Sequence, residues 1–202
     1  MTIPAVVAHG GAGPGPIRQD NLERAVEKAA SILKSGGSAL DAAVEACVIL
    51  EDDPVFNAGT GSVIRTDGSV LTDASIQVGD GRLGFVIAME DTPNPIRVAA
   101  DLLDEEINGL TSVGARIWAD RRGHIRAKVE GRAPKGQIGD KSAEITGDTV
   151  GVIARDSSGM IVAATSTGGC SFRPPGRVGD VPLPGSGFWA EGCLAVAATG
   201  IG

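Results

Sequence analysis

The chain has 202 residues, 42% hydrophobic and 21% charged, with a formal net charge of −7; this suits one globular domain with its own core. Scattered Lys and Arg, no Tyr and only two Trp argue against a nucleic-acid surface, which needs basic clusters and aromatic platforms. No apolar run reaches membrane-spanning length, the first residues show no charged stretch leading into an apolar core, and Cys47, Cys170 and Cys193 fall at no metal or disulfide spacing, so reduced thiols and a cytoplasmic location are expected, with no membrane partner.

"IPAVVAHGGAGPGP" reads as a short strand closed by a glycine-rich loop at His9 to Pro16. The loop is neither a dinucleotide fingerprint, because Pro16 stands where the last glycine belongs, nor a P-loop, because no Lys-Ser/Thr pair follows. Asp20 with Glu23 predicts a capped helix whose Leu22, Ala25, Val26, Ala29, Ile32 and Leu33 share a face, ended by Gly36 and Gly37. Ser38 with Asp41 starts a second helix, "ALDAAVEACVILE", apolar almost all round and therefore deeply packed. The stretch from Phe56 to Met89 reads as strands broken by the turns "TDG" and "GDG". "NPIRVAADLLDEE" returns to helix, with Pro95 near its first position, and "LTSVGARIWADRRG" is a second, shorter helical stretch. Residues 124–147 are polar and irregular and form the expected linker. Strands follow at Thr149 to Ala154 and Met160 to Thr165, then a long Gly/Pro loop, then a last strand in "CLAVAATG". Helices and hairpin-linked strands in blocks, without a recurring βαβ unit, predict an α+β fold of stacked layers.

The usual catalytic groups are scarce. Two histidines, His9 and His124, no G-x-S-x-G and no paired ligands at metal spacing leave little room for a serine triad or a metal site. A threonine at a chain terminus needs neither. Its α-amine has an unperturbed pKa near ~8 and can take the proton of its own hydroxyl during attack on a carbonyl. In "EITGDTVGVIARD", Gly147 permits unusual backbone and Asp148 offers a carboxylate beside Thr149. On these residues alone Thr149 is either the first residue of a strand or a nucleophile released by cleavage of the 148–149 bond.

Several ordered motifs bear on that choice. "TVGVIARDSSGMIVAATSTGG", "PGRVGDVPLPGSG" and "AVAATGIG", with "HGGAG" at His9 to Gly13, "FNAGTGSV" at Phe56 to Val63, "DASI" at Asp73 to Ile76 and "NPIRVA" at Asn94 to Ala99, together resemble the N-terminal-nucleophile hydrolases of the plant-type asparaginase and isoaspartyl peptidase family, related to the glycosylasparaginases. The resemblance spans essentially the whole chain. It implies a four-layer αββα sandwich forming a single domain over 1–202, cut into an α-subunit region 1–148 and a β-subunit region 149–202. Family members continue past "ATGIG", so the resemblance also implies a β-subunit region that is incomplete in this sequence.

Site roles follow from the same resemblance. Thr149 matches the nucleophile freed by autoproteolysis at Gly147-Asp148-Thr149. Thr167 matches the hydroxyl that bonds the nucleophile's amine, and Asn57 a residue supporting the nucleophile and oxyanion region. Thr199 and Gly200 match the oxyanion hole, with Gly200 also at the substrate. Arg177 matches the grip on a substrate α-carboxylate and Asp180 the receiver of its α-amino group. Arg offers a planar fork suited to a carboxylate, and Asp three residues on supplies the opposite charge; a salt bridge between the two within the loop is the alternative reading. "LEDDPVFNAGT" resembles a loop whose main-chain carbonyls, those of Leu50, Glu51, Asp53, Phe56, Ala58 and Thr60, hold a structural sodium ion. No cofactor is implied for catalysis. The implied substrates are L-asparagine and β-aspartyl dipeptides, and the implied assembly is a homodimer of αβ units.

Asp148 stands where plant-type members commonly have Gly, as in glycosylasparaginases and a threonine endopeptidase branch. Asp180 speaks against the endopeptidase, and Gly169, where glycosylasparaginases tend to have Asn, speaks against the other. An uncleaved or truncated homologue that only binds small amino acids is the non-enzymatic alternative.

Overall fold

A computed structural model describes residues 2–12, 18–133, 149–174 and 176–200. The element order is β1 (Ala5–His9), α1 (Gln19–Lys34), α2 (Ala39–Asp52), β2 (Thr72–Val78), β3 (Leu83–Met89), α3 (Pro95–Asp101), β4 (Gly109–Thr111), α4 (Ser112–Arg121), β5 (Val150–Arg155), β6 (Ile161–Thr167), β7 (Phe188–Glu191) and β8 (Leu194–Ala197). Six strands form one mixed sheet in the order β1-β5-β6-β2-β3-β4, and β7 and β8 form a separate hairpin. Every neighbouring pair is antiparallel except β3 and β4, which are parallel and joined through α3, as a crossover connection requires. This is the α+β architecture expected. Among the described residues, no helix is long and apolar enough to cross a membrane.

Strand alternation assigns the two faces of the sheet. Val150, Val152 and Ala154 of β5, Val162 and Ala164 of β6, and Ala74, Ile76 and Val78 of β2 join one core with α1, α2 and α3. Ala42, Ala43 and Ala46 of α2 are fully buried; their small side chains let this helix lie close to both α1 and the sheet. Ser38 Oγ accepts the Asp41 N–H at 3.0 Å and donates to the Asp41 carboxylate, the N-terminal cap read from the sequence. On the opposite face, Phe188 and Ala190 of the hairpin pack against Ala163, Ile153 and Leu83. Gln77 accepts from the Ala190 N–H, and Gly79 from Gly192. The described residues thus stack as helices, sheet and hairpin.

The β5–β6 turn is built on Asp156. Its Oδ1 accepts from the N–H and Oγ of Ser158 and the N–H of Met160, and its Oδ2 from the N–H of Ala39 at the start of α2. One carboxylate therefore fixes the hairpin and docks it on the helix layer.

Three local expectations need correction. α1 begins at Gln19, and Arg18 caps it without a side-chain bond; Glu23 instead accepts from Gln19 one turn away, so the Asp20–Glu23 cap does not form. Residues 56–71 are not strand: Gly59–Gly61 is a 3-10 turn, and the segment folds back to place Phe56, Asn57 and Ala58 wholly inside. β4 and β7 were not expected; each has four residues or fewer, too short to show a period. The expected linker is described only to residue 133; within it the Arg132 carbonyl accepts the Ile64 N–H and the Arg132 N–H donates to the Ser62 carbonyl. Its remainder lies outside the described residues, as does the glycine-rich loop from Gly13 to Pro16.

Candidate active site

Thr149 immediately precedes β5, and the antiparallel register of β5 with β6 sets it opposite Thr167. Their hydroxyl oxygens are 2.9 Å apart, and both residues are buried, at 5% and 3% exposure. By alternation both side chains lie on the hairpin face, away from the helices. Thr167 Oγ1 also accepts the Gly169 N–H at 3.1 Å. A hydroxyl holding that bond can still donate to, or accept from, its neighbour.

Asn57 fastens the turn that follows Thr167. Its Nδ2 donates to the Gly169 carbonyl, its Oδ1 accepts the Val63 N–H, and its own carbonyl accepts the Gly168 N–H at 2.9 Å. A Cβ at Gly168 would stand 2.5 Å from Asn57 Oδ1 and 2.6 Å from the Ser62 Cα, so only glycine fits. The folding back of residues 56–63 brings Asn57 here, which a strand would not do.

Arg177, Asp180, Thr199 and Gly200 line one cavity of about 660 Å³, together with Arg173 and Ser186. Asp180 is held through its neighbour: the buried Val181 carbonyl accepts from Ser75 Oγ at 2.6 Å, and Ser75 Oγ lies 2.6 Å from Thr165 Oγ1. The loop is thus pinned to β2 and β6 by two buried hydroxyls. Thr149 and Thr167 are not part of the cavity lining. Gly169 connects them to it: its N–H donates to Thr167 Oγ1, and a Cβ there would stand 3.9 Å from Arg177 Nη1.

His9 closes the other side. Gly151, one residue into β5, has no side chain, and the His9 ring occupies the space a Cβ would fill. Burial lowers the His9 pKa, while the charge of Asp180 and the Thr149 backbone act in the opposite direction. The neutral ring is therefore favoured, with Nε2 buried and without a hydrogen-bond partner among the described residues.

Asp73 pairs with Thr167 across β2 and β6. Its carboxyl is pushed up to about 6, chiefly by burial; the Ala88 N–H and the guanidinium groups of Arg65 and Arg177 pull against this. The Ala88 bond, 2.7 Å, spans a register shift in which Ala88 takes a φ of 53°.

The expected catalytic and substrate-binding residues that the structure describes fall in two groups: Asn57, Thr149 and Thr167, tied together around Gly169, and Arg177, Asp180, Thr199 and Gly200, which line the cavity. Gly147 and Asp148 lie outside the described residues. His9, Arg65, Asp73 and the Ser75–Thr165 pair were not singled out for this site by sequence reasoning; only strand register shows that they meet.

The family described as asparaginase matches this chain over residues 2–132 and 110–202. A plant-type L-asparaginase of Pyrobaculum calidifontis is 38% identical over 98% of this chain and 74% of its own length. Isoaspartyl peptidase/L-asparaginases of Macaca fascicularis and Homo sapiens are 41% and 40% identical, each over 98% of this chain and 71% of their own length. Nearly the whole chain, including every residue of both groups, falls within these matches, and it belongs to the asparaginase family of amide hydrolases.

Proposed function

We propose that the chain is an autoprocessed threonine amidohydrolase acting on L-asparagine and β-aspartyl dipeptides. The observation that carries this reading is the buried Thr149–Thr167 hydroxyl pair, 2.9 Å apart, linked through Gly169 to the cavity lined by Arg177, Asp180, Thr199 and Gly200. The names of the relatives support the substrate class.

Maturation comes first. Thr149 Oγ attacks the Asp148 carbonyl, Asp148 accepting the hydroxyl proton and passing it to the Thr149 nitrogen as the C–N bond breaks; water then opens the ester to leave Thr149 with a free amine and hydroxyl. The products are an α-subunit of 1–148 and a β-subunit that begins at Thr149, within one four-layer sandwich, two such units forming a homodimer. In turnover the neutral amine takes the proton of Oγ as Oγ attacks the substrate's side-chain carbonyl. Thr167 orients that amine and hydroxyl. Thr199 and the Gly200 N–H stabilise the developing oxyanion, where fixed donors act most strongly. Arg177 and Asp180 hold the α-carboxylate and α-amino group, so attack occurs at one carbonyl only. The amine's proton passes to the departing nitrogen, releasing ammonia or an amino acid. Water, deprotonated by the same amine, then hydrolyses the β-aspartyl ester.

Ammonia release from L-asparagine tests this. Thr149→Ala should lower it at least ~10³-fold, as for loss of a covalent nucleophile, and Thr149→Ser should retain measurable turnover. Equal activity of Thr149→Ala and the parent chain would refute the assignment.

The loop after α2 suits a sodium ion held by the carbonyls of Leu50, Glu51, Asp53, Phe56, Ala58 and Thr60, and we propose that it binds one. Helix geometry would pair the Leu50 carbonyl with residue 54, a proline without an N–H. The Glu51 carbonyl would pair with Val55, whose N–H goes to Asp53 Oδ1 at 3.1 Å. Both acceptors are therefore left for another partner. A Cβ at Gly59 would stand 2.6 Å from the Glu51 carbonyl oxygen, so glycine lets the loop close on that oxygen. The ion's part is structural: it would fix the loop that delivers Asn57. The melting temperature should rise by several degrees in sodium chloride relative to choline chloride at equal ionic strength; identical melting curves would remove the ion from the account.

A further inference from the structure

Arg65 is 4% exposed and lies under the loop that carries Arg177. Its backbone N–H closes a turn to the Ser69 carbonyl at 2.9 Å. Nη1 reaches the carbonyls of Pro174 at 3.5 Å and Arg177 at 3.4 Å. Nε and Nη2 are buried and have no hydrogen-bond partner among the described residues. A guanidinium placed in this way is costly unless an anion meets it.

Burial lowers the Arg65 pKa; Asp73 raises it, Arg177 lowers it, and Asp67 and Cys170 raise it in turn. Asp73 is thus one buried carboxylate in electrostatic reach of two guanidinium groups. Its Oδ2 has no hydrogen-bond partner among the described residues. The two guanidinium groups border one small space: a Cβ at Gly169 would stand 3.3 Å from Arg65 Nη2 and 3.9 Å from Arg177 Nη1. Gly169 has a φ of +82°, a conformation that keeps side chains out of that space. Its backbone is held in place by Thr167 and Asn57.

We propose that Arg65 is a second carboxylate-binding residue of the site, donating from Nη2 to an oxygen of the substrate α-carboxylate that Arg177 also holds. The inference rests on the amidohydrolase reading and sharpens its specificity. Arg65 Nη2 has no partner among the described residues and faces the same space as Arg177 Nη1; the free α-carboxylate of a small amino acid would supply the missing acceptor. L-Asparagine and β-aspartyl dipeptides meet that requirement; asparagine with its α-carboxylate in a peptide bond does not.

Kinetics with L-asparagine on the cleaved protein test the assignment. Arg65→Gln should raise KM roughly tenfold or more, the scale of a lost charge-assisted hydrogen bond, with kcat changed by less than about threefold. Arg65→Lys, which keeps the charge but not the fork that reaches two carbonyls, should recover most of the loss. A KM within about twofold of the parent chain in Arg65→Gln overturns the inference. So does an equal loss in Arg65→Lys, which would make the residue a brace for the loop. If Arg65→Gln does not fold, arginine side-chain nitrogen resonances of the parent protein decide: L-aspartate should shift both Arg65 and Arg177, and a shift of Arg177 alone overturns it. Absence of ammonia release by the parent chain would instead overturn the amidohydrolase reading, and this inference with it.

Discussion

Asp73 sits across the strand pair from Thr167, and its buried carboxyl holds a proton up to about pH 6. In the unfolded chain the same group titrates in the ordinary carboxylate range. Between those two values the folded state binds the proton and the unfolded state does not, so stability falls as pH rises through that window and levels off above it. The loss attributable to Asp73 is at most about 3 kcal/mol, at ~1.4 kcal/mol per unit of pKa. Asp73→Asn keeps an acceptor for the Ala88 N–H and has nothing to titrate. Its urea midpoint should therefore vary less between pH 4 and 6.5 than that of the parent chain; an unchanged profile would show that Asp73 is ionised throughout. At this scale the sequence was partly legible. Thr149, Thr167, Arg177 and Asp180 stand in recognisable motifs, although each alone reads as an ordinary strand or loop residue. His9 against Gly151, and Arg65 beside Gly169, depend on which strands and turns become neighbours, and no spacing along the chain encodes that.

At the scale of elements, the turn after β6 places Gly168 and Gly169 between Thr167 and the cavity. Gly168→Ala would push a methyl group against Asn57 Oδ1 and the backbone of Ser62, at 2.5 and 2.6 Å. Backbone cannot yield as a flexible side chain can, so the expected cost is about 1–3 kcal/mol, read as a lower urea midpoint. Lower ammonia release should accompany it, because the same turn holds Thr167 and Asn57 together; unaltered stability would mean that the turn relaxes freely. Helix α2 was readable because its cap and its apolar run agree. The segment 56–71 was misread because its apolar residues are buried by folding back on Asn57 rather than by pairing. The alternation that makes β7 a strand covers only Phe188 to Glu191 and is lost in the Gly/Pro-rich stretch before it.

At the scale of the whole molecule, the site exists only when distant segments meet. Asn57 and Asp73 come from the first half of the chain, while Thr149, Thr167, Arg177 and Thr199 come from its second half. Asp73, Thr149 and Thr167 share the sheet face away from the helices, and the turn at Gly169 links them to Asn57 and Arg177. Layered α+β order was legible from the blocks of helix and strand patterning; the sheet order β1-β5-β6-β2-β3-β4 was not, because β5 inserts beside β1 from across the chain. Cleavage at a bond next to this assembled site requires folding first, so breakage should be intramolecular and should depend on Thr149 and Asp148. Asp148→Ala should slow the cut far more than it slows turnover by chains already cut, as followed by fragment appearance and ammonia release in parallel.

The central claim is that Thr149 becomes a chain terminus, and the intact mass of the purified protein tests it most directly. The account predicts two species of 148 and 54 residues, about 15 and about 5 kDa of the 20.4 kDa total, the smaller beginning at Thr149, and a single uncut mass for Thr149→Ala. A parent chain that stays at its full mass after prolonged incubation, indistinguishable from Thr149→Ala, would contradict it.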